Sequence, residues 1–402
     1  MPRRTPWPYL TLTLGTIGLV AITSATLAGA IGAGEPPPRM GFDCDPSRLD
    51  GASKALCLAV RFEEGRRLFE DETFAGNGRT CATCHDARTG TFSPESAQRR
   101  LARNPADPLF VHDGLDDGVQ GTSRITEHAT VRIEIPLTSR VRLRNDPGAN
   151  SVVVLRGTPT TINTPSLQPV FMYDGRDTTL EEQALGAIQA HAQNGVAPTA
   201  LQLQLIAEFQ RTAPRFFSSF ELFAFAHGGR PPTLPRGRTA SERRGRAMFD
   251  DVPLTAGSTR GLCASCHSGP MLDVANDFNV FGAPAGSRFF GVGVSERNKL
   301  DLPVHEFILD GTDVVATPDI GMILTEPMPP EFPPFIPLAL LTNIFKTPSL
   351  WGIRHTAPYF HDNSAKSLEE LAEHYTFFFE TFVGITLTKQ DEADIVAFLK
   401  LL

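Results

Sequence analysis

Hydrophobic residues fall at helical spacing in two places that mirror each other: Leu205, Ile206 and Phe209 near the middle of the chain, and Ile395, Val396, Phe398 and Leu399 at its end. Each set predicts an amphipathic helix. Two further helices are predicted where Glu64, Gly65, Arg66, Arg67, Leu68, Phe69 and Arg244, Gly245, Arg246, Ala247, Met248, Phe249 lead into cysteine-bearing loops. Val131 to Pro136 and Ser151 to Leu155 read as short strands or extended loops. One apolar run is of another kind. It extends from Tyr9 to Ala30 behind Arg3 and Arg4 and ends in Ala28, Gly29, Ala30, the small-x-small pattern of a signal-peptidase site. We read residues 1–30 as an export signal; the alternative is an uncleaved anchor, since Leu10 to Ile31 is almost long enough to span a bilayer. Either way the remainder faces an oxidising compartment, in a bacterium the periplasm or cell exterior.

The order of elements occurs twice. Thr164, Pro165, Ser166, Leu167 recurs as Thr347, Pro348, Ser349, Leu350, and Leu180, Glu181, Glu182 recurs as Leu368, Glu369, Glu370, each time before the closing helix. Duplicated domains explain this order better than two unrelated modules. The segment from His227 to Thr239, with its three Pro, three Gly and three Arg, reads as the connector. Two loop-rich insertions stand out, Arg88 to Arg156 and Phe278 to Phe345, the second containing Pro327, Pro329, Pro330, Pro333 and Pro334. Both are expected to cover the edges of whatever the domains hold.

With 402 residues, 41% hydrophobic and 20% charged, the chain has material for two ordinary domains. A formal net charge of -8 and the lack of any Lys/Arg-rich block exclude a nucleic-acid backbone as partner, which needs clustered cations. Small basic redox proteins fit that charge.

The chemistry lies in the six cysteines. Four form two copies of CxxCH: Cys81, Cys84 with His85, and Cys263, Cys266 with His267. Two thiols three residues apart on one helical turn can form thioethers to the two vinyl groups of a haem, and the adjacent His then reaches the iron from the proximal side. A thioredoxin-like pair or a zinc knuckle does not require a His directly after the second Cys in both copies. The expectation is therefore two covalently bound haem c groups in a mainly α fold. Its two tandem cytochrome c-like domains each wrap one haem, and the insertions are loop-rich. The boundaries are an N-terminal segment at 31–57, a first domain at 58–226, a linker at 227–240 and a second domain at 241–402. With the other cysteines occupied, Cys44 and Cys57 are expected to form a disulfide, two free thiols or an intermolecular bridge being the alternative.

The succession of CxxCH, Tyr173-Asp174-Gly175-Arg176, a second CxxCH, then Thr356, Ala357, Pro358, Tyr359, Phe360, His361, Asp362 and a last helix resembles the bacterial dihaem cytochrome c peroxidases and their relative MauG. The resemblance covers roughly residues 58–402 without the insertions. It implies that the N-terminal haem meets peroxide and that the C-terminal haem stores or relays an electron, with a calcium ion between the domains. It makes His85 and His267 the proximal ligands and puts Tyr375, with His374 beside it, where the peroxidases have a distal Met; Tyr here is similar to MauG. A phenolate favours ferric iron and lowers the potential. Tyr173 stands where the family has its inter-haem Trp, as an electron relay or an aromatic wedge. Gln183 matches the family Gln, whereas Gln193 stands in place of a Glu that moves protons. An amide cannot do so near neutral pH. His191 is the nearest substitute, although two residues of separation on an α-helix point it to another face, and His112 and His128 are further candidates as proton carrier or distal ligand. Thr356 and Pro358 match calcium-binding carbonyls, but Gly157 replaces the family Asn. Met271 is read as core.

The leading expectation is thus a periplasmic peroxidase-like oxidoreductase, with hydrogen peroxide reduced at the N-terminal haem and a small cytochrome c or cupredoxin as electron donor. The alternatives are MauG-like or haem-oxygenase-like oxidation of an organic or protein substrate, and a non-enzymatic electron carrier with both irons fully ligated. A homodimer is compatible with all three.

Overall fold

In the computed structural model, which describes residues 41–325, 328, 332 and 335–402, helices outweigh strands. The export-signal reading and the five prolines at 327–334 concern residues outside those described. The first half opens with the helix Gly51–Glu70 and closes with Ala200–Thr212. They cross at Gly65, where an added Cβ would meet the Leu205 carbonyl oxygen at 2.4 Å and the Phe209 Cβ at 2.9 Å. The second half repeats the crossing. Helix Ala240–Ala247 meets Lys389–Leu399 at Gly245, whose added Cβ would fall 2.0 Å from the Asp394 carbonyl oxygen and 2.8 Å from the Phe398 Cβ. Only glycine allows two backbones this close. Both closing helices start from capping boxes, Thr199 with Gln202 and Thr388 with Asp391. Both bury the residues whose spacing predicted them, at roughly 1.5–3 kcal/mol of transfer free energy per large side chain.

The repetition continues between these helices. Antiparallel bridges pair Phe171 with Asp177 and Tyr359 with Ala365. Shortly after each, a helix starts from a capping hydroxyl: Leu180–Ala187 from Thr179 and Leu368–Phe378 from Ser367. Each helix runs into a single π-turn, Ile188–Ala192 or Phe379–Val383, that ends on a left-handed residue, Gln193 or Gly384. Each half has its own apolar core, joined by a largely exposed, extended segment over 228–238.

The insertions depart from expectation. Thr130–Pro136 and Ser151–Gly157 are indeed antiparallel strands, in register from Thr130 with Gly157 to Pro136 with Ser151. The short strand Val141–Leu143, however, pairs with His305–Leu309 from the other insertion, which in turn pairs with Asp313–Thr317. The two insertions therefore share one sheet and one core, with Ile125, Val131 and Ile133 packed in the same cluster as Phe307, Leu309 and Ile320.

Cys44 and Cys57 form a disulfide. Arg61 ties the adjoining segment down, donating to the Phe42 and Cys44 carbonyls while pairing with Glu208 on the closing helix. Among the described residues no helix is long and apolar enough to cross a membrane.

Candidate functional site

Each half encloses a cavity walled by its CxxCH loop. The first is lined by Cys81, Cys84 and His85, the second by Cys263, Cys266 and His267, with empty volumes of about 1260 and 1830 Å³. None of the four cysteines is in a disulfide. Burial pushes the Cys81 and Cys263 thiols up to about 12, the opposite of a redox-active CxxC pair, whose thiols are depressed. The two histidines are held alike. His85 Nδ1 lies 2.7 Å from the Gly90 carbonyl oxygen and His267 Nδ1 lies 2.7 Å from that of Leu272. Such a bond puts the proton on Nδ1 and leaves the Nε2 lone pair free for a metal. Burial also lowers both imidazoles, which favours the neutral, ligating form. The residues fit a haem in each cavity: paired unoxidised thiols, an adjacent preorganised imidazole and apolar walls.

The two cavities differ on the side contributed by the capped helices. Tyr375, eighth residue of Leu368–Phe378, lines the C-terminal cavity, whereas Ala187, eighth residue of Leu180–Ala187, lines the N-terminal one. His374 does not line the cavity; its Nε2 is 2.8 Å from the Val292 carbonyl oxygen. One cavity thus offers a phenol at a position where the other offers a methyl group.

Gln183 and His191 line the N-terminal cavity. His191 falls at helical spacing from Ala184, Ala187 and Ile188, which line the same cavity, and so on a different face from position 193. Gln193 is a correction to the reading by resemblance. It sits past the π-turn at φ 51°, exposed and outside the cavity, with its amide oxygen 3.2 Å from Asn77 Nδ2. His112 is exposed and His128 half-buried, and neither lines a cavity. Met271 is buried with the first-half core.

Two residues that sequence reasoning missed stand behind His191. The Asp113 carboxylate, from the first insertion, accepts from His191 Nδ1 and pairs with Arg79. Arg79 also donates to the carbonyls of Pro108, Leu109 and Val111, at 2.8, 3.0 and 2.8 Å, fastening the insertion to the CxxCH loop. Burial alone would raise the Asp113 carboxyl; the bond from His191 and the Arg79 charge outweigh it and hold the group below the usual carboxylate range. No sequence signal marks Asp113, since it is 78 residues from its partner in a segment without a repeat counterpart.

Between the cavities stands Tyr173, which lines both. Arg156, which lines the first, pairs with Asp174 and Asp319, and Arg176 also pairs with Asp174. Thr356 and Pro358 line the second cavity. The donor set does not fit the calcium site that the resemblance implied. Gly157 carries no side-chain oxygen, and Asn363 fills the space a side chain there would need, its amide nitrogen donating to the His128 and Ala129 carbonyls. No group of three or more His, Cys, Asp or Glu able to share a metal occurs among the described residues.

Comparison with known proteins agrees with this site. Residues 60–230 match the family model for di-haem cytochrome c peroxidases. The methylamine utilization protein MauG of Methylophilus methylotrophus is 25% identical over 63% of this chain and 69% of its own. The cytochrome-c peroxidase IdrP1 of a Pseudomonas species (strain SCT) is 22% identical over 61% and 68%. A solved MauG-like protein associated with microbial copper homeostasis is similar at 20% identity and a TM-score of 0.45, over 85% of this chain and 87% of that one. The paired CxxCH cavities, the family model and these relatives together support the dihaem cytochrome c peroxidase and MauG family of oxidoreductases for this chain.

Proposed function

We propose that the protein is an exported, periplasmic peroxidase-like oxidoreductase that reduces hydrogen peroxide in the N-terminal cavity, with electrons brought through the C-terminal cavity from a small cytochrome c or cupredoxin. The observation that carries this reading is the contrast between Ala187 and Tyr375 at the same helix position, a methyl group facing one cavity and a phenol able to bind iron facing the other. The haems, when bound, supply iron that exchanges electrons with peroxide, so that each peroxide takes two electrons and two protons and leaves as two waters. The chain does the rest. Cys81, Cys84, Cys263 and Cys266 anchor the two groups as thioethers, and His85 and His267 bind the irons through Nε2. Tyr375, which lines the C-terminal cavity, would bind the C-terminal iron as a hard anionic donor. Gln183 can hold the oxidant by hydrogen bonds, and His191 is the polar group able to accept and return a proton there. Tyr173 bridges the cavities as the relay.

Steady-state turnover of hydrogen peroxide with a reduced cytochrome c tests the reading, alongside the mass of the denatured protein, which should retain two porphyrins. Turnover is expected; a wild type that retains two porphyrins and turns over no peroxide would contradict the reading. A second reading, MauG-like oxidation of an organic or protein substrate, is favoured by Tyr375 in place of a thioether. Oxidation of the protein by peroxide without turnover of reduced cytochrome would select it.

A further inference from the structure

We propose that Asp113, carried by the first insertion to a place behind the N-terminal cavity wall, is the positioning residue that makes His191 the proton carrier there, with Arg79 holding the carboxylate in place. This rests on the reading of that cavity as the oxidant site. A carboxylate only accepts hydrogen bonds, so the imidazole proton lies on Nδ1 and the lone pair on Nε2. Nε2 has no hydrogen-bond partner among the described residues, and the ring lines the cavity. Arg79 and Asp113 are only 2% and 5% exposed, so the pair is a buried support behind the ring.

The geometry gives His191 what a base beside a bound peroxide needs. Nε2 would take one proton of hydrogen peroxide and return it to the oxygen that leaves as water when the O–O bond breaks, the bound haems supplying the two electrons the remaining oxygen needs; the protein ends with the protons it had. Asp113 stabilises the imidazolium while it exists, a role that Gln193, outside the cavity, cannot perform. The other charged groups around the ring do not compete for it. Glu72 is paired with Arg67, Arg176 with Asp174, and His85 is held by the Gly90 carbonyl. The insertion thus orients, through a side chain 78 residues away, a base that the helix itself carries.

The test is cyanide association with the ferric, fully loaded protein, followed by stopped flow from pH 5 to 9. Hydrogen cyanide is protonated over most of this range and binds as the anion, so it needs the same base as peroxide and no electron donor. His191→Ala should slow association by about 100-fold, the low end of general-base contributions. Asp113→Asn should slow it by about tenfold and move the acid limb of the profile to lower pH, because the anion that favours imidazolium is gone; Asp113→Glu should restore part of the rate. Gln193→Glu should leave rate and limb unchanged. Should Asp113→Asn disturb folding, His191→Ala, which leaves the Arg79–Asp113 pair intact, still decides. The proposal is overturned if Asp113→Asn folds and keeps the wild-type limb, if His191→Ala keeps the wild-type rate, or if His191→Ala converts a low-spin N-terminal haem to high-spin, which makes His191 an iron ligand. If these effects appear but peroxide is not turned over, the peroxidase reading fails and this inference stands.

Discussion

Tyr173 and His361 follow Phe171 and Tyr359 at the same distance in the two bridge motifs, and their rings meet edge to face, with centroids 6.4 Å apart at 71°. His361 is in turn stacked on Phe345 at 3.7 Å and lines the C-terminal cavity, so a continuous aromatic contact runs between the two cavities. The Tyr173 hydroxyl has no hydrogen-bond partner among the described residues, which means that Tyr173→Phe removes the phenol without breaking a bond. We expect electron exchange between the haems to slow by at least about tenfold, or about 1.4 kcal/mol of barrier, with both ferric spectra unchanged. Flash-induced electron transfer in the half-reduced protein measures this. An unchanged rate would make Tyr173 a wedge between domains.

Tyr375 is the second point of test. Tyr375→Met exchanges a hard anionic donor for a thioether, and the C-terminal potential should rise by more than about 100 mV, within the roughly 0.8 V that axial ligation spans. Tyr375→Phe should leave that iron high-spin. Spectroelectrochemistry reads both, and a potential that does not move in either variant removes Tyr375 from the iron.

Gln193 has a conformational role. At φ 51° it occupies the left-handed place that Gly384 takes in the second half. Gln193→Gly should stabilise the protein by about 0.5–1 kcal/mol, since a side chain there is disfavoured, and peroxide turnover should not change. Thermal unfolding and steady-state kinetics check the two halves of that statement.

Acid stability should reflect the buried Asp174. Burial would raise its carboxyl, but Arg176 and Arg156 outweigh burial and hold it down to about 2. The unfolded chain titrates it near the ordinary value of about 3.9. The stabilisation is therefore nearly complete above about pH 4 and is lost as pH falls towards 2, by about 2–3 kcal/mol. In Asp174→Asn that extra acid sensitivity should vanish, while stability at pH 7 drops by about 3 kcal/mol because the buried Arg156 loses a partner. Melting temperatures of the two proteins at pH 7, 4 and 3 give the comparison, and equal acid sensitivity would contradict it.

Much of this was legible in the chain because it is local. The CxxCH pentapeptides, the Gly65 and Gly245 helices and the closing helices depend on spacing within one turn or one helix face, and the duplication doubled each signal. Val131 to Pro136 alternates and forms a strand. What was illegible is long-range. The three residues Val141–Leu143 are a strand only because His305–Leu309 lies beside them. The π-turn at Ile188–Ala192 follows no residue preference, and which of the two faces, that of His191 or that of Gln193, meets the cavity emerges only in the folded chain. Asp113 and Arg79 acquire their roles only through the folded insertion.

The central claim is that two irons sit in unlike axial environments, open beside Ala187 and capped by Tyr375. Electron paramagnetic resonance of the fully oxidised protein tests it directly. The account predicts one high-spin and one low-spin ferric signal of equal intensity; two low-spin signals would show both irons fully ligated and would contradict it.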